Sequence, residues 1–496
     1  MRVPRGAAKS PFGLFVCLCL LAQTPARNSD GNPDRSRDLN AVEAEAQRHP
    51  RSFTFLQDLT DRIGPRLTGS SQEAKAGEWA LQTMRAIGLQ NVHGEPWQLE
   101  RGWRRGYARC ELLAPFPLEL RVVSYGWTGS TAKRGITAEV VRLDSDALDQ
   151  EVRNNSGAWA GKVLFLTPKD PAHSDAFQAL SRLPGFLQAA VRARAAAVIL
   201  HDRRPGALLP HTGPLGFPGR SSTLAVLDIA REHETMLARL LDSGTTVRVR
   251  IDVRNEFTAG AVSSSNIVGE IVGTRHPEEV VLLGAHLDSW DLGTGAIDDG
   301  FGVAAVLGAA QSIVAAGVKP DRTLRFVLFT GEEQGLLGSR AYTRAHQREL
   351  ANFVCALILD WGQGRITKLP LAGHSELAAT FEELFRAISG VAPVQVAAGY
   401  LTFTDAFAFT LAGVPGIAPL QDSQDYAMWA HSAADTLDKV SPEVLALDST
   451  LLALTALWTA DYPTRPGSVW SPERTARELR QQQSSLELLG LWPFQR

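Results

Sequence analysis

Seven residues in the second half of the 496-residue chain are of types that bind a transition metal or act as acid and base. Imidazole and carboxylate ligands together suit Zn²⁺, whereas an all-oxygen set is typical of magnesium or calcium. Three or more carboxylates in one place repel each other by on the order of several kcal/mol unless cations neutralise them. A site with two Zn²⁺ ions is therefore predicted. Its residues are His286, Asp288, Asp298, Glu332, Glu333, Asp360 and His431.

These residues follow apolar runs that are predicted to be strands. From residue 265 onward such runs alternate with helical patterns, which predicts an α/β fold with a mostly parallel sheet flanked by helices. The carboxyl ends of the strands in such a sheet border one crevice. We therefore expect the seven side chains to meet at one edge. The runs are 280–284, 324–329, 354–359 and 415–420.

The spacing within these segments also indicates individual roles. Asp288 lies two residues after His286, so it is placed to accept the second ring N–H and fix the tautomer. Two other kinds of site are disfavoured. Gly293, Gly295 and Gly300 do not have the spacing of a dinucleotide-binding loop, and no GxSxG elbow stands in a suitable context for a serine hydrolase.

The length of the chain exceeds what one hydrophobic core usually supports, so two domains are expected. Short β-rich runs joined by Gly and Pro turns fill residues 113–255, which predicts a smaller β-rich domain. It would separate residues 39–112 from residues 256–496, the two parts of the larger domain. Residues 27–38 are polar and predicted to be flexible, and Ser471 is predicted to cap a C-terminal helix.

Residues 1–26 have the features of a cleaved signal peptide, because basic residues precede the short apolar run 12–22. The protein is therefore expected to be secreted or periplasmic, and no later segment is predicted to span a membrane. The remaining chain has 47 basic and 53 acidic residues, which disfavours nucleic acid as a partner. It keeps Cys110 and Cys355. The latter is predicted to be a core residue, and a bond between the two has no support.

Long motifs in a fixed order give the chain a family resemblance. It resembles the zinc-dependent metallo-exopeptidases that use a co-catalytic pair of metal ions, and the likeness covers nearly the whole chain after the signal segment. The motifs are GPRLTGS (64–70), GITAEV (135–140), HLDSWDLGTGAIDDG (286–300), EEQG (332–335), AGVPG (412–416) and HSAADT (431–436).

This resemblance implies a role for each site residue. Asp298 would bridge both zinc ions, His286 and Asp360 would complete one, and Glu333 and His431 would complete the other. Glu332 would be the general base. The resemblance also implies a cis peptide between Asp298 and Asp299, a homodimer, and a protease-associated domain at 113–255. Some relatives have Ser where this chain has Thr404, so the role of that hydroxyl stays open.

The predicted substrates are short peptides and dipeptides, cut at a terminal bond. Asp422 and Asp425 could hold a free α-amino group, whereas the nearest basic residues after Asp360 are Arg365 and Lys368. This tilts the prediction towards recognition of the amino terminus. Two alternatives stay open. One is a catalytically inactive receptor or scaffold, which the intact site residues disfavour, and the other is an amidohydrolase acting on a non-peptide amide.

Overall fold

The computed structural model describes residues 33–168, 170, 176–210, 212–213, 221–423 and 425–494. The predicted signal segment 1–26 lies outside the described residues. Helices and sheets alternate over most of the chain. The α-helices are Pro33–Arg48, Ser52–Gln57, Ser71–Ile87, Leu148–Asn155, Ala176–Arg192, Arg231–Asp242, Phe301–Ala315, Leu337–Ala345, Ala378–Ala387, Ala406–Leu411, Tyr426–Trp429, Pro442–Ala460, Pro472–Glu478 and Gln483–Leu489.

A six-stranded central sheet forms the core of the larger part of the molecule. Its last four strands run parallel, and the first two pair antiparallel at one edge. The parallel strands are almost wholly buried, because helices cover both faces, and this explains their unbroken apolar sequences. The predicted α/β class is confirmed. In spatial order the strands are Gln90–Leu99, Val262–Ile271, Arg322–Phe329, His276–His286, Phe353–Ile358 and Gly416–Ile417.

Two apolar helices pack against this sheet. The stretches Ala296–Ala315 and Pro442–Ala460 are long and apolar enough to cross a membrane, yet most of each is buried inside the protein. Length and composition alone would therefore have allowed two later segments as candidate spans. Both helices are apolar on all sides because the protein surrounds them, as is typical of core helices.

A second sheet of eight strands is built from residues 108–253. The predicted boundary at 113 falls inside the strand Ala108–Ala114, which pairs with Arg248–Val253 and so belongs to this sheet. The β-rich prediction missed the helices that link its parallel strands. Such strands require a crossover connection, and Pro184 within Ala176–Arg192 hides the helical pattern. The strand order is Leu118–Leu120, Ala108–Ala114, Arg248–Val253, Ile136–Asp144, Val163–Thr167, Ala197–His201, Val226–Ile229 and Val122–Ser124.

Two small sheets and the two cysteines complete the β structure. Cys110 lies in the second sheet and Cys355 in the central sheet, and both are free and buried. Cys355 is a core residue, as predicted. The strands of the small sheets are Trp103–Arg104 with Glu256–Phe257, and Ile366–Pro370 with Gln395–Ala397 and Leu420–Gln421.

The first described helix begins at Pro33, so the prediction of a flexible segment over 27–38 is wrong from residue 33 onward. The reason is a tertiary contact. The Arg35 guanidinium lies 4.8 Å from the ring centre of Trp458 and donates a 2.8 Å hydrogen bond to the carbonyl of Asp461. At the other end of the chain, Ser471 accepts a hydrogen bond from the amide of Arg474, which confirms the predicted cap.

His346 ties the edge strand of the central sheet to the helix Leu337–Ala345. Its Nε2 lies 2.9 Å from Glu95 and its Nδ1 lies 3.2 Å from Glu349. The hydrogen bond to Glu95 raises the pKa of His346 above its usual value, although burial opposes this. The folded-state pKa is thus above that of the unfolded chain. The stabilisation is complete below about pH 6.5 and is lost as pH rises through the raised pKa.

We therefore expect His346→Gln to lower the melting temperature more at about pH 6 than at about pH 9. Thermal unfolding of both proteins across this range measures the difference. A loss of stability that is the same at every pH would contradict an ionic role for His346.

Candidate metal centre

The carboxyl ends of three parallel strands bring the predicted ligands together. Two overlapping groups each offer ligand atoms that lie within 4.8 Å of one another. One group is His286, Glu332 and Asp360, and the other is His286, Asp298 and Glu333. The structure places these side chains together at one edge of the sheet, as predicted. The distances between them could not be predicted from their spacing in the sequence.

Asp298 lies between two imidazoles. Its Oδ1 is 3.1 Å from Nε2 of His286, and its Oδ2 is 3.0 Å from Nε2 of His431. The same nitrogen of His431 is 3.0 Å from Oε2 of Glu333, and Nε2 of His286 is 3.6 Å from Oδ1 of Asp360. Two groups of ligand atoms therefore share one carboxylate, that of Asp298.

The charges of the site need compensation. Burial raises the pKa of Glu333 to about 7 and that of Asp360 to about 6. Burial alone would lower the pKa of His431, but Glu333 and Asp298 raise it to about 10. The carboxylates thus call for positive charge between them. A metal cation would supply it and leave the imidazoles neutral.

His286 is held in one tautomer by the main chain. Its Nδ1 lies 3.0 Å from the carbonyl oxygen of Asp288, whereas the Asp288 carboxylate is 3.6 Å away. The carbonyl is therefore the nearer acceptor, and the predicted role of the Asp288 carboxylate towards His286 stays a prediction. That carboxylate accepts hydrogen bonds from the hydroxyl of Thr68 and the amide of Glu332, at 2.7 Å and 3.3 Å. The Nδ1–H bond to the carbonyl leaves Nε2 free for a metal.

The two adjacent glutamates differ in exposure. Glu333 is buried, and its Oε1 accepts a 3.2 Å hydrogen bond from the amide of Trp290. Glu332 is only partly buried. Burial and the negative charge of Asp360 raise the pKa of Glu332 well above its usual value. A raised pKa suits a group that takes up a proton.

Asp299 fixes the start of the helix that follows Asp298. Asp299 accepts hydrogen bonds from the amide of His286 at 3.1 Å and from the amide of Gly302 at 2.9 Å. The peptide between Asp298 and Asp299 is cis, as the resemblance implied. Asp435, the one acidic residue of the HSAADT motif, accepts a 2.8 Å hydrogen bond from the amide of Ile297. These bonds set the position of Asp298 from both sides.

Arg66, in the GPRLTGS motif, is wholly buried behind the site. Its guanidinium donates to the carbonyls of Leu287, Thr294 and Gly295 at 2.6, 2.6 and 2.9 Å. One side chain thereby closes the loop between His286 and Asp298. Sequence reasoning used Arg66 only as part of a motif, because the carbonyls of Leu287, Thr294 and Gly295 lie more than two hundred residues away.

Arg66→Met should lower the free energy of unfolding by about 3 kcal/mol or more, because it leaves several buried carbonyls without donors. Arg66→Lys should lose less, since it keeps the charge and some of the hydrogen bonds. Urea unfolding of the three metal-free proteins measures this. A Met variant as stable as the wild type would show that the loop does not depend on Arg66.

The residues considered for binding the ends of a substrate lie at the surface, and that role stays a prediction. Asp422 and Asp425 are exposed, as are Arg365 and Lys368. The same loop instead brings Tyr426 to the site. Burial and the negative charge of Asp298 raise the pKa of its phenol well above the usual value. Tyr426 was missed because a single tyrosine in a loop carries no signal in the sequence.

Thr404 and Asp405 lie under the site. The Thr404 hydroxyl is buried and finds no hydrogen-bond partner among the described residues, so the structure adds no role for it. Burial raises the pKa of Asp405 to about 8, and its charge acts in turn on Glu332.

An α/β sheet whose strand ends gather buried imidazoles and carboxylates defines the class of metal-dependent hydrolases. Comparison with known proteins narrows this class. The model of peptidase family M28 matches residues 266–455. Carboxypeptidase Q of Bos taurus is 32% identical over 412 residues, which cover 83% of this chain and 85% of that protein. Carboxypeptidase Q of Homo sapiens is 32% identical over 421 residues, or 85% and 87%. The chain therefore belongs to peptidase family M28.

Solved structures agree on the fold. A peptidase M28 precursor from Shewanella amazonensis has a TM-score of 0.79 at 29% identity, and the match covers 88% of this chain and 99% of that one. A zinc aminopeptidase from Bacillus subtilis has a TM-score of 0.65 at 19% identity, with 85% and 98% covered. At that identity the second likeness supports the fold alone.

Proposed function

We propose that this protein is a zinc-dependent exopeptidase that hydrolyses terminal peptide bonds of short peptides, dipeptides included. The observation that carries the proposal is Asp298, whose two carboxylate oxygens face His286 and His431 separately. A pair of metal ions needs one carboxylate that lies between two groups of ligand atoms, each with its own imidazole. Similarity to carboxypeptidase Q supports peptide bonds as the target.

Two zinc ions per chain fit the residues present. His286 and Asp360 would hold one, Glu333 and His431 the other, and Asp298 both. The donor set supports zinc, and Asp360 supports it further, because its buried Oδ2 has no hydrogen-bond partner among the described residues. The chemistry supplied by bound zinc is activation of a water and polarisation of the scissile carbonyl.

Glu332 acts as the general base. It takes a proton from the attacking water and passes it to the leaving amine. The metal grouping alone would also allow Glu332 as a ligand, because its carboxylate lies with His286 and Asp360. Its partial exposure supports the role of base, since a base must meet both the water and the substrate. The hydrogen bond from the backbone amide of Glu332 to the Asp288 carboxylate holds this loop close to His286.

Three further features belong to the proposal. The second sheet is an inserted protease-associated domain, which is supported by its position between two strands of the central sheet, Gln90–Leu99 and Val262–Ile271. The chain forms a homodimer, on the strength of the family resemblance. Export rests on the sequence of residues 1–26. A catalytically inactive scaffold is disfavoured by the complete ligand set, and a non-peptide amide remains the second substrate class to assay.

The amino terminus is the end that we expect the enzyme to recognise. The site is rich in carboxylates, and no Lys or Arg of the described residues forms an ion pair with Asp298, Glu333 or Asp360. Acetylation of a tripeptide should therefore abolish cleavage, whereas amidation should leave most of it. Chromatography of the products from the free, acetylated and amidated forms tests this.

Loss of cleavage on amidation alone would instead identify the enzyme as a carboxypeptidase. Equal cleavage of all three forms, or cuts inside a long peptide blocked at both ends, would refute exopeptidase action. Cleavage of a non-peptide amide without any cleavage of peptides would favour the amidohydrolase alternative.

A further inference from the structure

The loop that bears His431 is held from outside the central sheet. The guanidinium of Arg204, which follows the strand Ala197–His201 of the second sheet, reaches this loop. Its Nη1 donates hydrogen bonds to the carbonyls of Ala430, at 2.6 Å, and His431, at 3.1 Å. Pro210 of the same segment also forms a β-bridge with Ser432. A residue 227 positions away in sequence is thus bonded to the backbone of a proposed zinc ligand.

His431 needs such support because of its backbone. Its φ of 52° lies in the left-handed region, which L-residues other than glycine rarely adopt without help from their surroundings. The two carbonyls bound by Arg204 flank this residue's own φ and ψ bonds. Their orientation decides where the imidazole points, and the imidazole must stay within about 3 Å of both Asp298 and Glu333 to share a metal with them.

Arg204 is itself held in place. Its Nε lies 3.5 Å from Oδ2 of Asp202, and its side chain is only 18% exposed. The guanidinium is therefore restricted to few rotamers. The Asp202 carboxylate is fixed in turn, since its Oδ1 accepts the amides of Arg203 and Arg204 at 2.7 and 3.3 Å. The turn after the strand therefore presents one oriented donor to the loop of His431.

A second set of contacts joins the same two parts beside the site. Trp290 packs edge-on against Trp127, with ring centres 6.0 Å apart, and lies 6.3 Å from the ring of His431. Any Cβ added at Gly126 would come within 2.8 Å of the Trp290 ring, so the second sheet approaches this tryptophan closely. Arg105 binds Asp291 through two hydrogen bonds of 2.8 and 2.7 Å.

We propose that Arg204 is a positioning residue for His431, so that the second sheet completes the metal centre. This inference rests on the proposed function, in which His431 binds the second zinc ion. Arg204 touches neither metal nor substrate. It acts through the backbone of residues 430 and 431, in the way that outer-shell partners orient metal ligands and set metal affinity.

The test is a chelator competition on the whole protein loaded with zinc. Arg204→Met should release one of two zinc ions at a chelator concentration about 10 to 100 times lower than the wild type, and the other ion at an unchanged concentration. Arg204→Lys, which keeps a donor, should fall between them. Arg231→Met is the matched control, because Arg231 donates a 3.2 Å hydrogen bond to the carbonyl of Arg203 but does not reach the loop of His431.

Thermal unfolding of the metal-free proteins separates positioning from simple stability. We expect Arg204→Met to melt close to the wild type without zinc and to gain less from added zinc. Equal release of both ions by wild type and Arg204→Met would overturn the proposal, as would an unselective loss of both ions with a lower metal-free melting temperature. A wild type that binds no second zinc at all would instead refute the proposed function, and His431→Ala is the reference for that outcome.

Discussion

Glu332→Gln should lower kcat by about 10² to 10⁴-fold while zinc content and melting temperature stay near those of the wild type. The substitution removes a proton acceptor and keeps the size of the side chain. Its backbone amide, which donates to Asp288, is untouched, so the loop should keep its shape. Steady-state kinetics on a dipeptide, with zinc measured by elemental analysis on the same sample, is the required measurement.

Glu349→Gln is a matched control, because that glutamate is in neither group of metal-binding side chains and pairs with Arg325 and His346. It should retain full activity. If Glu332→Gln keeps wild-type turnover, Glu332 is not the base. If it loses a zinc ion along with activity, Glu332 is a metal ligand, which is the alternative that its place beside His286 and Asp360 allows.

Asp298→Ala should remove both zinc ions and lower kcat/KM by at least about 10³-fold, because metal activation contributes several kcal/mol to such reactions. The two oxygens of this carboxylate face two different imidazoles, so its loss affects both groups of ligands. The wild type should contain two zinc ions per chain after reconstitution. Elemental analysis and activity assays at rising zinc concentration measure both quantities.

Asp321→Asn provides the comparison, since Asp321 pairs with Arg275 away from the site. It should bind zinc as the wild type does. A wild type with one metal ion or none would contradict the two-zinc site. An Asp298→Ala protein that keeps one ion at full affinity would show that the carboxylate serves a single metal and does not bridge.

Local sequence was enough to predict the elements that deliver the site residues. Strands that are buried on both faces must be apolar throughout, so the ends of the strands His276–His286 and Arg322–Phe329 are visible as the points where polar residues return. Caps obey equally local rules, as the hydroxyl of Ser70 and the left-handed Gly88 show at the two ends of one helix. Periodicity and the positions of Gly and Pro therefore predicted the α/β class, whereas the site residues were predicted from residue types at strand ends and from the family resemblance.

The pairing of those residues was decided by tertiary structure alone. Which oxygen of Asp298 faces which imidazole, and that a carbonyl holds His286, depend on the packing of segments that lie far apart in sequence. The same is true of the two arginines that clamp the site. Arg66 and Arg204 bind main-chain carbonyls, and every residue has a carbonyl, so no side-chain pattern in the sequence can reveal such partners.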